Sequence, residues 1–186
     1  MSIIQRLWEP TLAVPALGAV VEQPRWYAVH TRARHEKAVT AQLERIGVTT
    51  FLPLIRETHR WSDRKKTIQC VLFDGYTFVF LGSYSREYFH IVKTPGVIGF
   101  VGIRGVGLPI PDKEIEDIRA LLDNNIPCTP YPFLSAGRRV RIRGGCMDGL
   151  EGILVAKNSD QSLVVSVEMI QRSLAVRIDG YDVEPV

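Results

Sequence analysis

Hydrophobic and polar positions in this chain follow first one rhythm and then another. Residues 26–31 (WYAVHT) alternate aromatic and β-branched side chains with smaller or polar ones, which predicts a strand. Residues 33–46 (ARHEKAVTAQLERI) place Ala38, Val39, Leu43 and Ile46 at helical spacing, with Gly47 as the terminating cap. Residues 48–54 return to strand chemistry, Pro53 marking an edge or an end. Residues 56–66 (RETHRWSDRKK) contain nothing that builds a core. They set five basic residues against Glu57 and Asp63 and predict an exposed hairpin or loop. Residues 67–73 form a further strand and Asp74–Gly75 a turn. Residues 76–81 (YTFVFL) are the most apolar strand, predicted to lie centrally in a sheet.

The same alternation of elements continues to residue 123. Residues 85–93 (SREYFHIVK) predict a helix with Ser83 or Ser85 as its N-cap, and residues 96–103 a strand followed by a glycine-rich loop at 104–108. Pro111 and Asp112 open a third helix over 112–123, with acidic residues in its first turn where the helix dipole favours them. Helices interleaved with strands predict an α/β sandwich with a mainly antiparallel or mixed sheet. Residues 124–135 hold Pro127, Pro130 and Pro132 and predict a semi-stiff linker that joins neither helix nor sheet. Beyond it only short strands are foreseen, at 137–142, 152–156, 162–168, 174–178 and 182–185, separated by glycine turns. That pattern predicts a small barrel, and a unit of about 50 residues has to be tightly packed to fold. The expected organisation is α+β: an N-terminal extension (1–24), a sandwich domain (25–123), a linker (124–135) and a barrel (136–186).

Composition narrows the function more than the fold. Hydrophobic content of 46% and charged content of 23% exclude wholesale disorder. The net charge is +3, yet residues from Ser135 onward carry seven basic and seven acidic side chains, so the whole excess lies in residues 1–134. A nucleic-acid surface is therefore expected in the first part of the chain. Cys70, Cys128 and Cys146 are widely spaced and form no CxxC pair, which argues against a disulfide framework or zinc site and for a reduced, cytoplasmic setting. No run reaches the ~18 apolar residues of a membrane span. Residues 11–21 have the apolarity of a signal-peptide core, but Pro15 interrupts them and Glu9 precedes them, so a flexible extension is expected. His30, His35, His59 and His90 stand in separate segments, without HExxH, GxSxG or phosphate-loop patterns. Residues 102–107 (GIRGVG) lack the strand–loop–helix context of a phosphate loop. The expectation is a binding protein without enzymatic activity, cofactor or metal.

Residues 137–153 (GRRVRIRGGCMDGLEGI) resemble a KOW motif, a pattern shared by ribosomal proteins and elongation factors. Ahead of it, WYAVHT, then HEK and QLE on a helix, FDGYTFVF, VIGFVG and PDKEIEDI follow one another in the order of the NusG N-terminal (NGN) domain, across residues 26–123. The chain thus resembles the NusG family over nearly everything beyond residue 25. It departs from housekeeping NusG where RARHEK replaces a small glycine-containing turn and where Asp74 stands at a common proline position. RARHEK, RWSDRKK, TPYP (129–132) and GLEG (149–152) resemble the specialised paralogues RfaH, LoaP and UpxY, antiterminators of particular long operons.

The resemblance implies a monomeric, non-membrane factor whose NGN domain docks an apolar patch on the β′ clamp helices of bacterial RNA polymerase. The matching positions are Trp26, Tyr27, Phe73, Tyr76 and Phe78, aromatic anchors of the kind that dominate interfaces. Strand alternation sends some of these inward: Trp26 toward the core, Phe78 to either side, Phe73 and Tyr76 outward beside the turn. The opposite rim would meet the β-subunit gate loop, at residues 87–90 (EYFH), although the hydroxyl-rich character of RfaH is missing. It would also meet non-template DNA through Arg32, Arg34, His35 and Arg45, unless these are only a solvated basic face. The KOW barrel would recruit Rho or a small-subunit ribosomal protein through Met147, Leu150, Met169 and Ile170, apolar residues expected at a loop tip and strand end. Refolding of the barrel into helices, known for RfaH, is opposed by SLVVSVE, LAVRI and Gly144, Gly145, Gly149 and Gly152. The alternatives are a housekeeping NusG-type factor and a KOW protein that binds RNA on the ribosome.

Overall fold

A computed structural model describes residues 23–60, 65–82, 86–134, 136–157 and 160–186. The extension up to residue 22, the hairpin tip at 61–64, the N-cap candidates Ser83 and Ser85, and Ser135 lie outside the described residues. The first domain runs β1 (Arg25–Thr31), α1 (Glu36–Arg45), β2 (Thr49–Phe51), β3 (Leu54–Arg60), β4 (Lys65–Val71), β5 (Tyr76–Leu81), α2 (Arg86–Lys93), β6 (Val97–Phe100), β7 (Gly102–Ile103), β8 (Val106–Gly107), β9 (Pro109–Ile110) and α3 (Asp112–Asp123). The second comprises β10 (Cys128–Tyr131), β11 (Arg139–Arg143), β12 (Glu151–Lys157), β13 (Asp160–Val167), β14 (Arg172–Arg177) and β15 (Asp182–Pro185), with 3₁₀ turns at Gly145–Met147 and Glu168–Ile170. The fold is α+β, and every strand pair among the described residues is antiparallel.

The first sheet has the order β2-β5-β1-β6, with β9 also on β1, so the two most apolar strands are central as their sequence requires. Successive side chains of a strand point to opposite faces. Trp26 and Ala28 of β1, with Phe78 of β5, therefore share an apolar cluster with Ile115, Ile118 and Leu121 of α3. Tyr27 and Val29, with Val79 and Leu81, pack instead with Val39 and Leu43 of α1 and Ile91 of α2. Three details differ from the expectation. Helix α1 begins at Glu36 rather than at residue 33, because Arg34 adopts a left-handed φ of 63°. The buried Glu36 carboxylate accepts the Arg34 amide (3.2 Å) and the Gly75 amide (2.8 Å), pinning this turn to the β4–β5 turn. The strand foreseen over 96–103 breaks after Phe100, and the glycine-rich loop beyond it contributes β8. The tiny β7–β8 hairpin is possible because Gly102 has no Cβ; one would lie 1.9 Å from the Val106 carbonyl oxygen.

The third difference concerns the proline run. Expected to stay out of any sheet, it supplies β10, an edge strand whose Pro130 pairs with Leu174. An edge position tolerates proline because one side of the strand needs no N–H donor. The six-stranded sheet β10-β14-β13-β12-β11-β15 encloses Val140, Ile142, Leu163, Val165, Val167, Leu174, Val176 and Ile178. Gly152 lets β12 approach β13 closely, since a Cβ there would meet the Val164 carbonyl oxygen at 2.5 Å.

Candidate functional site

The five aromatic positions matched to a polymerase patch do not form one surface. Trp26 and Tyr27 are neighbours on β1 and so face opposite sides of the sheet, and both are buried. Phe78 is fully buried, and Phe73, expected to be outward beside the turn, is only 2% exposed. Its ring sits edge-on to Phe78 at 6.1 Å, within the core between sheet and α3. Tyr76 alone of the five remains half-exposed, stacked on His30 with ring centroids 5.2 Å apart. On the same face Phe51 and Phe80 are also half-exposed, and the Arg119 guanidinium lies 4.6 Å from the Trp26 ring and 4.8 Å from that of Phe51. Neither motif nor periodicity singles out His30, Phe51, Phe80 and Arg119. The signal that finds the strand residues is register: Tyr76, Phe78 and Phe80 stand opposite His30, Ala28 and Trp26 across the β1–β5 ladder.

On the other face α2 offers a second apolar rim. Ile91 is buried beneath it, whereas Phe89 is 68% exposed, and Val92 on the same helix is also exposed. Tyr88 holds the helix in place: its ring stacks on Phe100 at 4.1 Å, and its hydroxyl donates to the Gly105 carbonyl (2.8 Å) and accepts the Gly107 amide (3.3 Å). Residues 87–90 are therefore an anchored, accessible segment.

The four basic candidates divide. Arg32, Arg34 and His35 are exposed in the turn before α1, while Arg45 closes the far end of the same ten-residue helix, about 15 Å away at 1.5 Å per residue. His35 Nδ1 lies 3.0 Å from the Ala33 carbonyl oxygen, and the ring packs on Gly96, whose missing Cβ would sit 3.1 Å from it. Arg32, Arg34 and His35 thus share one exposed turn, and Arg45 stands apart from them. Among the described residues no cluster of His, Cys, Asp and Glu is arranged to hold a metal. None of the described helices is long and apolar enough to cross a membrane.

The apolar tip of the barrel is not an open surface either. Met147, Leu150 and Ile170 are buried, and Met169 is half-buried. A cleft of about 350 Å³ is walled by Glu116, Asp117 and Ala120 of α3 on one side and by Met147 and Leu150 on the other. Lys113 of α3 donates to the Gly149 carbonyl (2.8 Å), and Glu114 accepts the Glu168 amide (3.1 Å). Burial pushes the Glu114 carboxyl up to about 7 from an ordinary 4.5, despite the Glu168 amide; it likewise raises Asp117, against the pull of its hydrogen bond from Lys113. Helix α3 thus faces Met147 and Leu150 across a cleft, a neighbour that sequence periodicity has no means to register.

A family model described as "Transcription termination factor nusG" matches residues 24–119. The "Transcription termination/antitermination protein NusG" of Staphylococcus aureus (strain Mu50 / ATCC 700699) is 30% identical over 172 residues, covering 86% of this chain and 94% of that relative. The protein so named in Lactococcus lactis subsp. lactis (strain IL1403) is 28% identical over 173 residues, covering 87% and 92%. Among solved structures, "Domain interaction in Thermotoga maritima NusG" shares the fold with a TM-score of 0.50 at 22% identity, over 83% of this chain and 93% of that one.

Proposed function

Because this chain belongs to the NusG family of transcription termination and antitermination factors, we propose that it is a specialised antitermination factor that bridges two modules of RNA polymerase. The observation that carries this reading is the placement of two accessible apolar rims on opposite faces of one sheet. The His30–Tyr76 stack, with Phe51 and Phe80, lies on the α3 side, and Phe89 with Val92 lies on α2. The first rim suits the β′ clamp helices, since half-buried aromatics offer a large contact area at low rotamer cost. The second suits the β gate loop. Holding both modules at once favours the closed clamp and disfavours the paused conformer, by differential binding and without a chemical step. The exposure of Arg32 and Arg34 supports a role for them in neutralising phosphates of the non-template strand. The barrel, neutral in charge, then recruits a protein, either Rho or a small-subunit ribosomal protein.

Capture on core RNA polymerase tests this. The double variant Tyr76→Ala with Phe89→Ala is expected to lose binding by at least about tenfold, the scale of removing interface anchors, while each single variant loses part of it. Wild-type protein that does not bind polymerase, or a double variant that binds as well as wild type, would sink the proposal. Arg32→Ala with Arg34→Ala should weaken binding only on scaffolds carrying a non-template bubble, and equal loss on scaffolds without one would discard the DNA contact. A gene leading a long biosynthetic operon supports the antitermination role; one beside translocation and ribosomal genes supports the housekeeping role.

A further inference from the structure

Helix α3 sends one cation onto the aromatic face of the first sheet. The Arg119 guanidinium lies 4.6 Å from the Trp26 ring and 4.8 Å from the Phe51 ring, and Phe80 packs on Trp26 at 5.1 Å. Resting on the assignment of this rim to polymerase, we propose that Arg119 is its specificity residue: the guanidinium takes a carboxylate from a polymerase segment that presents apolar side chains to the surrounding rings.

The helix itself offers Arg119 two carboxylates. Glu116 stands three positions before it and Asp123 four after, both at the spacing at which ion pairs form along a helix. Among the described residues Arg25, Arg141, Arg143 and Arg177 each meet a carboxylate, whereas Arg119 meets neither of its helix neighbours nor any other acid. Its guanidinium is held half-buried against two rings instead. Attraction to the ring faces satisfies the charge in part, but supplies no lone pair to the five N–H donors.

Docking changes that balance. Phe51, Tyr76 and Phe80 are half-exposed and attract an apolar surface, and a surface that covers them strips water from the guanidinium beside them. A charge so enclosed costs free energy unless an acceptor arrives with the partner. A carboxylate fits best, because the planar guanidinium offers it two parallel N–H donors. The rings already hold the guanidinium in place, so little of its freedom is lost when the carboxylate binds. An apolar surface without an acid is disfavoured, since it buries the cation unpaired. The aromatic residues thus supply contact area, and Arg119 selects among apolar partners. A nucleic-acid phosphate suits the position less well: the side chains against Arg119, Trp26 and Phe51, bring no second cation.

Titration of the full chain against core polymerase free of nucleic acid tests the pairing. Arg119→Gln should bind about tenfold more weakly than wild type, because it leaves the partner's carboxylate unpaired, and Arg119→Lys should recover part of the loss. Added salt should weaken wild-type binding more steeply than that of Arg119→Gln. Acidic residues of the β′ clamp helices can be neutralised one at a time, Asp to Asn and Glu to Gln. One such change should weaken wild-type binding about tenfold and leave the Arg119→Gln complex unaffected, the coupling that a merely structural role for Arg119 does not produce. Arg119→Gln that binds as well as wild type would overturn the proposal, as would equal sensitivity of both proteins to every one of those changes. A loss confined to scaffolds carrying nucleic acid would overturn it in favour of a phosphate. Wild-type protein that fails to bind core polymerase removes the polymerase reading itself, and the carboxylate with it.

Discussion

The sheet of the first domain and the sheet of the barrel bury their strands in different ways. The former is covered on both faces by helices of the same domain, α1 and α2 on one side and α3 on the other. It even encloses polar groups, among them three with clear partners: the Thr40 and Thr77 hydroxyls pair at 2.9 Å, and the Glu36 carboxylate accepts two amides. The barrel folds one sheet around one interior and has no α-helix of its own among the described residues. Its β13 is buried on both sides even so: Leu163, Val165 and Val167 inside, and Val164 on the side that lines the cleft with α3. A unit of about 50 residues has little surface to bury on its own account. Helix α3 makes up part of the deficit, so one helix belongs to both domains.

Core truncations probe this asymmetry with the largest effects. Ile118→Ala and Leu163→Ala should each destabilise by about 3 kcal/mol. Hydrogen exchange resolved by residue should place the loss from Leu163→Ala within the barrel. Ile118→Ala should lower protection in the first domain and also loosen the barrel contact. Equal loss of protection in both domains from Leu163→Ala would show a single cooperative unit and end the comparison. Gly152→Ala comes next, at about 1–3 kcal/mol, because the added Cβ is forced against the β13 backbone. Denaturant unfolding should show the barrel transition shifted and the first domain unmoved. Thr40→Val, which leaves the buried Thr77 hydroxyl unpaired, should cost about 1 kcal/mol in the first domain alone. The smallest effect belongs to the barrel surface, where Arg141→Ala removes a partly exposed pair with Glu151 and should cost about 0.5 kcal/mol in thermal unfolding.

The elements most visible in the sequence are those whose signal is local. Helix α3 occupies the twelve residues that Pro111 and an acidic first turn announce. The central strands β1 and β5 stand where aromatic and β-branched residues alternate. The start of α1 is not legible in this way: Arg34 suits a helix by composition, and only the distant Gly75 amide, shared with it on Glu36, shows why the turn persists. The prolines of β10 are prohibitive in an interior strand, and their tolerance here depends on the strand lying at an edge, a position in the sheet rather than a property of the residues. For the candidate site, residue types were legible and their exposure was not. Phe73 and Tyr76 carry the same apolar signature, yet one packs beneath α3 and the other stacks with His30 at the rim.

The order of residues alone is enough for the two-part α+β plan, the central strands, the third helix and the family to which the chain belongs. Propensity, periodicity and motif order act over a few neighbours and need no partner. Only the tertiary structure decides which aromatics remain accessible, which basic residues lie far apart, and that Met147 and Leu150 of the barrel face α3 across a cleft. Those properties are set by contacts between segments far apart in the chain. The Glu114 contact with Glu168, 54 positions away, is the clearest case. No local pattern in either segment announces that its partner lies within the same molecule.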